Sequence, residues 1–503
     1  MKCSSGKVIT FLSTLVLLAG CVQPAPNTRP WLLEEEELTF SPSLQDLLPT
    51  PRPEGATYFT PTPDAPHPLP TLRAVSLTYT IKAGDTMAWI ANRYNLPYSA
   101  VAGANPEITP SALEVGQTLT LPAPQAESPY SDFKIIPDSE LVYGPASATL
   151  DVEAFVGEQD GYLNAYFEEV DGQRLSGAQI LKRVSYEYSV NPRLVLAFLE
   201  YESGWVTRKN IDPSLIEYPM GRFEVARKGL YKQLAWAADQ LNHAYYLYEI
   251  NALPYVILAD NRMVMLSEVI NPGTAAVQYL AGLLHNGTGY MQAISEGGVY
   301  ATYASFFGIP FDVTVENLQP ANLAQPDLLL PFESGVMWSF TSGPHGGWGS
   351  GSAWAALDFS PSGDASGCFR SDAWVTASAD GLVTRAKDGA VVLDLDGDGL
   401  EQTGWTLLYA HIETRDRVAA GSYVKAGDRL GHPSCEGGVS TGTHFHLARR
   451  YNGVWIAADR DLPINLEGWT SAGAGVEYEG TLTREGQTLI AWSGLIDENQ
   501  ITR

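Results

Sequence analysis

Two histidines one residue apart, His444 and His446, lie in the segment STGTHFHLARR of this 503-residue chain. Residues that favour strands surround the pair, and on a strand the side chains at positions i and i+2 point to the same face. We therefore expect both imidazoles to reach one point. Imidazole binds metal ions and transfers protons near neutral pH, so the pair indicates metal binding, proton transfer or both.

Three more segments carry candidate residues: SGPHGGWG contains His345, LDFS contains Asp358 and LLYAHI contains His411. Together with the histidine pair, these segments resemble the M23 family of zinc endopeptidases, which includes lysostaphin, and within it the β-lytic branch. The resemblance implies that His345, Asp358 and His446 bind zinc. It also implies that His411 and His444 are the catalytic histidines.

The resemblance covers about residues 332–465 and has small departures. The separation of His345 from Asp358 is longer than in most of the family, but it resembles the β-lytic branch. Thr443 stands where that branch usually has proline, and Phe445 where it usually has leucine. A non-catalytic relative usually lacks one or more of the five functional residues, whereas this chain has all of them.

The residue types fit the chemistry of a catalytic metal. Two imidazoles and one carboxylate form a three-ligand set that leaves the fourth position of tetrahedral zinc open to water. Zinc activates that water and polarises the scissile carbonyl. We expect His444 to accept the proton of the water and return it to the leaving amine. We expect His411 to donate a hydrogen bond to the developing oxyanion.

A second metal site is predicted in the segment DLDGDG, where Asp394, Asp396 and Asp398 alternate with other residues. This pattern matches the first half of a calcium-binding loop. The second half fails, because Trp405 stands where such a loop has its bidentate glutamate. The alternatives are a calcium-braced hairpin and a solvated acidic turn.

Composition and charge limit the classes of function. Apolar residues make up 45% of the chain and charged residues 17%, which is typical of globular domains. The formal net charge is −26 and no Lys/Arg stripe is visible, so nucleic-acid binding has no electrostatic basis. The length favours several domains.

The N-terminus has the pattern of an export signal. Lys2 and Lys7 precede an apolar run, which ends in Leu-Ala-Gly-Cys at Cys21. This run resembles the bacterial lipoprotein signal, which implies that residues 1–21 direct export and that Cys21 carries lipid. An ordinary secretory signal is the alternative. We expect a protein of the cell envelope, outside the cytoplasm and anchored to a membrane by lipid.

Export leaves two cysteines for the folded chain. Cys3 is removed with the signal and Cys21 is lipidated, so Cys368 and Cys435 remain in an oxidising compartment. A disulfide between them is predicted, and it would brace the loop before the histidine strand. Two free buried thiols are the alternative.

Residues 22–76 are rich in proline and acidic residues, and we expect a disordered tether in which His67 is solvated. Residues 77–123 follow with YTIKAGDT, NPEIT and LEVGQTLTLP. These stretches resemble the LysM domain throughout. The resemblance implies a βααβ fold that binds N-acetylglucosamine-containing glycans such as peptidoglycan. A spacer that has lost sugar binding is the alternative.

Residues 124–149 are predicted to be a linker, and residues 150–320 an all-α domain. The periodic stretches start at a capping box from Ser176 and at Asn191-Pro192. The segment SVNPRLVLAFLEYESGW resembles the start of the lysozyme-like lytic transglycosylases, which implies that Glu202 is a general acid. A glycan-binding or purely structural helical domain is the alternative.

From residue 330 the pattern changes to short strands between glycine turns, which predicts an antiparallel β domain over residues 330–465. A β-hairpin extension is predicted over residues 466–503. The fold class is therefore multidomain α+β, with LysM, helical and β-rich domains.

These predictions combine into one hypothesis: an exported, lipid-anchored peptidoglycan hydrolase whose LysM module holds it on glycan while a zinc endopeptidase cuts peptide cross-links. Avidity from LysM would remove the need for electrostatic attraction to the wall. Two alternatives remain. One is a non-catalytic, wall-binding activator of another hydrolase, and the other is a bifunctional enzyme whose helical domain cleaves glycan.

Overall fold

The computed structural model describes residues 43–48, 66–363 and 367–503. The predicted signal and Cys21 lie outside the described residues. Within those residues, every helix is too short or too polar to cross a membrane. Helix α1 (Leu44–Leu47) begins at a capping box formed by Ser43.

The described parts of the predicted tether contact the rest of the protein. Nδ1 of His67 lies 3.0 Å from Oδ1 of Asn251, and its ring packs on Tyr248 with centroids 4.5 Å apart. The backbone N–H of His67 donates to the carbonyl of Glu268 over 2.8 Å. Leu69 packs against the helical core. The prediction that His67 is solvated is therefore wrong, because an aromatic ring and an amide are available beside it.

The LysM region has the predicted βααβ order and a hydrophobic core of its own. The two strands pair antiparallel, and the side chain of Thr86 caps the first helix. The elements are β1 (Leu77–Thr80), α2 (Met87–Arg93), α3 (Tyr98–Ala104) and β2 (Thr118–Leu121).

Much of residues 124–149 is packed rather than free, so the prediction of a linker is wrong. Strand β3 (Ala126–Glu127) pairs in parallel with a strand of the helical domain. Ile135, Ile136, Leu141 and Val142 are fully buried in the helical core. Burial of these apolar side chains stabilises the fold, whereas in an exposed linker the same surface would remain in water.

Nine helices and two small sheets form the described middle region, so the all-α prediction is only partly right. The capping box at Ser176 and the Asn191-Pro192 start are both present. The elements are α4 (Val152–Gln159), α5 (Tyr162–Ala165), β4 (Phe167–Val170), β5 (Gln173–Ser176), α6 (Gly177–Tyr188), α7 (Pro192–Ser203), α8 (Pro213–Ile216), α9 (Leu230–Glu249), β6 (Tyr255–Ile257), β7 (Met263–Met265), α10 (Pro272–Leu284), α11 (Gly287–Ala293) and α12 (Ala301–Phe307).

The C-terminal region is antiparallel β, as predicted, and a nine-stranded sheet carries it. The elements are β8 (Trp338–His345), β9 (Ala356–Pro361), β10 (Val375–Thr376), β11 (Gly381–Lys387), β12 (Ala390–Asp394), β13 (Trp405–Ala410), β14 (Tyr423–Val424), β15 (Arg429–Gly431), β16 (Phe445–Tyr451), β17 (Val454–Trp455), β18 (Asn465–Leu466), β19 (Trp469–Gly473), β20 (Gly480–Arg484), β21 (Gln487–Ile490) and β22 (Gln500–Ile501). The order in the large sheet is β14-β11-β12-β13-β16-β9-β8-β22, with β17 paired to β16, and β18 to β21 form a separate four-stranded sheet.

Both faces of the large sheet are buried, because residues alternate between two cores. Leu357, Val391, Tyr409 and Leu447 belong to the core on one face. Their neighbours Ala356, Val392, Leu408 and Ala448 belong to a core shared with the helical domain. The helical domain thus covers one face of the sheet, and its contacts extend to the strands that carry the candidate ligands.

Candidate metal centre

The three predicted ligands come from adjacent strands of the large sheet. His345 ends β8, Asp358 lies in β9 and His446 lies in β16, where it pairs directly with Asp358. The β8–β9 register shifts twice between Phe340 and His345. Because bulges re-aim side chains, these shifts allow His345 to reach the other two residues.

Three ligand atoms form a compact triangle. Nε2 of His345 lies 3.0 Å from Nδ1 of His446, and each of these atoms lies 3.2 Å from Oδ1 of Asp358. Tetrahedral zinc with bonds of about 2.0–2.1 Å separates its ligand atoms by about 3.3–3.4 Å. The triangle therefore matches a small tetrahedral cation within a few tenths of an ångström.

Hydrogen bonds to backbone carbonyls fix the tautomer of both imidazoles. Nδ1 of His345 donates to the carbonyl of Gly343 over 2.8 Å, and Nε2 of His446 donates to Gly347 over 3.0 Å. A carbonyl can only accept, so in a neutral ring the other nitrogen is a lone pair. Two lone pairs and a carboxylate oxygen thus face each other. Carbonyl partners of this kind orient histidine ligands in metal sites.

The carboxylate between the imidazoles is held in its charged form. Burial disfavours that charge, but attraction to His345 in its protonated form outweighs burial and holds the pKa of Asp358 well below its usual value. A metal cation would replace that proton and leave both rings neutral. Oδ1 of Asp358 is buried and accepts no hydrogen bond from the described residues. A cation would satisfy this oxygen and both lone pairs, so the donor set fits a metal such as zinc.

The two remaining histidines lie beside the triangle. His444 immediately precedes β16, and its Nε2 lies 3.6 Å from Oδ2 of Asp358. His411 follows β13 in a left-handed conformation at φ 61°, which is uncommon and recurs at functional sites. The rings of His411 and His444 have centroids 4.5 Å apart. The structure thus brings all five predicted residues together.

Both of these histidines also donate from Nδ1 to a carbonyl. Nδ1 of His411 donates to Glu436 over 3.0 Å, and Nδ1 of His444 donates to Gly442 over 2.7 Å. Burial and the nearby imidazoles lower the pKa of His411 to about 4. The Nδ1 hydrogen bond leaves Nε2 of a neutral His411 ring as an acceptor, so the donor role expected of His411 stays a prediction that requires the ring to be protonated.

Three domain families match the chain. Residues 79–122 match the LysM domain, residues 134–321 match the LasA N-terminal domain, and residues 369–458 match peptidase family M23. The chain contains an M23 peptidase domain. The M23 match includes His411, His444 and His446, whereas His345 and Asp358 lie before its first residue.

Three known proteins are similar to parts of the chain. Protease LasA of Pseudomonas aeruginosa is 28% identical over 344 residues, which cover 64% of this chain and 74% of that protein. The M23 metalloprotease pseudoalterin, described as from deep-sea, is 23% identical at a TM-score of 0.29, covering 36% of this chain and 100% of its own. The catalytic domain of lysostaphin from Staphylococcus simulans is 23% identical at a TM-score of 0.18, covering 24% of this chain and 86% of its own.

The M23 domain and the homology to Protease LasA make the chain a metallo-endopeptidase. The match of the helical region is to the LasA N-terminal domain, so the lysozyme-like fold expected there stays a prediction.

The predicted disulfide is present between Cys368 and Cys435, which confirms that the thiols are not free. Thr443, directly before His444, is tied to the same loop. Its hydroxyl donates to the carbonyl of Phe369 over 2.6 Å and accepts the N–H of Phe369 over 2.8 Å. The disulfide and this pair of hydrogen bonds together brace the approach to β16 of the M23 domain.

Tyr478 is a residue that the sequence analysis missed. Its ring stacks on His345 with centroids 4.7 Å apart and an interplanar angle of 25°. The carbonyl of Tyr478 accepts the N–H of Gly343 over 2.8 Å, and its N–H donates to Pro344 over 3.1 Å. No motif marks this tyrosine, because its contact depends on how the C-terminal extension docks on β8.

The acidic loop brings Asp394, Asp396 and Asp398 together, with carboxylate oxygens within 4.8 Å of one another. Asp394 accepts backbone N–H groups from Asp396, Gly397 and Gly399. Burial and the Asp396 carboxylate raise the pKa of Asp394 to about 9. Calcium binding here stays a prediction.

Added calcium is expected to raise the melting temperature of the chain, because a cation would offset the repulsion among these carboxylates. The measurement is a calcium titration followed by thermal unfolding. Asp398→Ala serves as the control and should show no shift. A melting temperature that calcium leaves unchanged in the parent chain would remove the calcium site.

Glu202 has a partner that the sequence analysis did not expect. Nε2 of His285 lies 2.9 Å from Oε1 of Glu202. The side chain of Glu202 is only 7% exposed. Glu200 instead caps the following turn through Val206 and Thr207. A general acid must carry a proton that it can give to the leaving group, and the contact with His285 occupies Oε1 of Glu202, so this geometry favours a structural role for Glu202.

Proposed function

We propose that the M23 domain is a zinc-dependent endopeptidase that cleaves the peptide cross-links of peptidoglycan. The observation that carries this proposal is the convergence of two imidazole lone pairs and one charged carboxylate on a single point. His345, Asp358 and His446 would hold the zinc. Bound there, zinc would supply Lewis-acid activation of water and of the scissile carbonyl.

His444 is the proposed general base. Its Nδ1–H is committed to Gly442, so the lone pair of Nε2 is free to take a proton from the attacking water. The same nitrogen then returns the proton to the leaving amine. The His411 ring lies beside His444, and its Nδ1 contact leaves its own Nε2 free. We assign His411 the role of a second proton acceptor facing the substrate.

Tyr478 and the backbone carbonyls hold the proposed ligands in place. The stacked tyrosine ring covers one face of His345, while Gly343 fixes its tautomer. Gly347 does the same for His446. These contacts already restrict the rotation of the two rings, so less conformational entropy would be lost when they bind zinc.

We assign glycan binding to the LysM domain, which would hold the enzyme on its polymeric substrate. Tyr255 of the helical domain donates its hydroxyl to the carbonyl of Asn95 over 2.6 Å, which limits the movement of the LysM domain. Co-sedimentation of the chain with insoluble peptidoglycan tests this assignment. Soluble N-acetylglucosamine oligomers should release the bound chain, and binding that they leave unchanged would contradict it.

Export and lipid attachment at Cys21 would place the enzyme in the cell envelope, on the outer side of a membrane. The expected result is recovery of the full-length chain in the membrane fraction and of Cys21→Ser in the soluble fraction. Equal distribution of the two chains would contradict the lipid anchor.

Digestion of purified peptidoglycan tests the peptidase proposal. We expect the full-length chain to release new amino groups without new reducing sugar ends, because peptide and not glycosidic bonds are cut. A chelator should stop the release and zinc should restore it. His446→Ala should be inactive, while His67→Ala, a histidine far along the chain from the site, should keep the parent rate.

Amino-group release by His446→Ala at the parent rate would overturn the ligand assignment. Binding to peptidoglycan without any release, even with zinc, would favour the alternative of a non-catalytic activator.

Glu202 is the basis of the second candidate function, glycan cleavage by the helical domain. The contact of Glu202 with His285 leads us to expect no such activity. The full-length chain and Glu202→Gln should therefore release equally few reducing ends from peptidoglycan. Release that is abolished by Glu202→Gln would instead establish a bifunctional enzyme.

A further inference from the structure

The segment that joins two proposed ligands has little structure of its own. It runs from Gly346 to Ala355 between β8 and β9, and reads GGWGSGSAWA. Its internal hydrogen bonds include Gly347 N–H to Ala353 over 3.1 Å and Trp348 N–H to the hydroxyl of Ser352 over 3.0 Å. Glycine-rich chain is flexible, so a fixed conformation needs support from outside the segment.

That support comes from Asp239 on α9 of the helical domain. Its carboxylate accepts the N–H of Ser350 over 2.9 Å, the hydroxyl of Ser350 over 2.8 Å and the N–H of Gly351 over 2.8 Å. Hydrogen bonds to a charged acceptor are stronger than those between neutral groups. One side chain thus fixes the tip of the segment.

Two glycines make this contact possible. A Cβ at residue 349 would lie 2.5 Å from Oδ1 of Asp239, and one at residue 351 would lie 1.9 Å from its carbonyl oxygen. Gly349 also has φ +67°, a conformation that other residues rarely adopt. The glycines of this segment therefore match its close approach to α9.

The same segment orients a proposed zinc ligand. The carbonyl of Gly347 accepts the Nε2–H of His446 and so directs its Nδ1 lone pair toward Asp358. A shift of the segment would move this carbonyl and turn the ring. Through these hydrogen bonds the segment links Asp239 of the helical domain to His446.

We propose that Asp239 is a positioning residue for the metal centre, acting on His446 through the segment 346–355. This inference rests on the proposed zinc site. Loss of a group that holds a ligand directly lowers metal affinity by about 10–100-fold. Asp239 does not contact His446 itself but holds the segment whose carbonyl does, so we expect its loss to lower zinc affinity by the smaller end of that range, about tenfold.

The test is the zinc dissociation constant of the full-length chain, measured by competition with a chromogenic chelator. Asp239→Ala should bind zinc about tenfold more weakly than the parent. Asp239→Asn should recover most of the affinity, because an amide oxygen can still accept the two N–H groups. Asp212→Ala is the matched control, since Asp212 also accepts the N–H and hydroxyl of a serine, Ser214, within the helical domain.

An Asp239→Ala chain with the affinity of the parent would overturn the inference, as would equal losses in Asp239→Ala and Asp212→Ala. Ser350→Ala, which removes one of the three hydrogen bonds, replaces Asp239→Ala if that chain fails to fold, and should show a smaller loss of affinity. A parent chain that binds no zinc would overturn the proposed function itself, which is a different outcome.

Discussion

Replacing His444 with alanine is expected to lower kcat for peptide hydrolysis by about 10²–10⁴-fold, the usual contribution of a general base. The side chain lies beside the ligand triangle without belonging to it, since its Nε2 is 3.6 Å from the distal oxygen of Asp358. Zinc should therefore remain bound while proton transfer is lost. The measurement is the steady-state rate on a soluble cross-linked peptide.

Zinc content is the control for this variant. His444→Ala should retain the zinc of the parent chain, whereas His446→Ala should lose it together with activity. A His444→Ala chain that keeps the parent kcat would show that another group is the base, and His411 would then be the candidate.

Replacing Glu401 with alanine is expected to destabilise the folded chain by about 3–5 kcal/mol, because it leaves buried guanidinium groups without their partner. Glu401 lies 2.8 Å from Nε of Arg385 and 3.0 Å from Nη2 of Arg450. The arginine side chains are only 8% and 1% exposed. Arg385 also packs on Tyr186 of the helical domain, so the loss would weaken the contact between domains.

The free energy of unfolding serves as the measurement, taken from urea unfolding at neutral pH. Asp372→Ala is the matched control, because the Asp372 side chain is 84% exposed in its pair with Arg415. An exposed pair contributes about 0–1 kcal/mol. Equal, small effects in both variants would contradict the assigned role of Glu401.

The pH dependence of stability follows from the same cluster. Burial alone would raise the pKa of Glu401, but Arg385 and Arg450 outweigh burial and lower it to about 2. Because the pKa of Glu401 is lower in the folded chain, its carboxylate stabilises the fold at pH values above the pKa of the unfolded state, near 4.5. This stabilisation is lost as the pH falls from 4.5 towards 2. The parent chain should lose stability over this range, and Glu401→Gln should lose less.

The sequence was most informative where short-range patterns carry the chemistry. The shared direction of His444 and His446 follows from the i, i+2 geometry of a strand, and the βααβ order of residues 77–123 was implied by their resemblance to the LysM domain. The cysteine pair was predictable because the predicted export signal and lipidation would leave only two candidates. Each of these inferences needs only residues that are close in the sequence, or the number of cysteines in the chain.

Long-range packing decided the features that the sequence did not reveal. Tyr478 reaches His345 only because the C-terminal extension docks on β8. Asp239 and Ser350 are 111 residues apart and come from different domains. The apolar residues Ile135 and Ile136 were assigned to a linker because a run so short has no period that distinguishes it from loop. The sequence also did not reveal the tautomer of His411, which depends on a carbonyl from a distant loop.

The zinc content of the purified full-length chain, measured after dialysis in a zinc-buffered solution, tests the central claim most directly. The triangle of His345, Asp358 and His446 predicts one tightly bound zinc per chain, and its loss in Asp358→Ala, because the carboxylate supplies the negative charge that both neutral imidazoles lack. A parent chain without zinc, or an Asp358→Ala chain that binds zinc with unchanged affinity, would contradict the account.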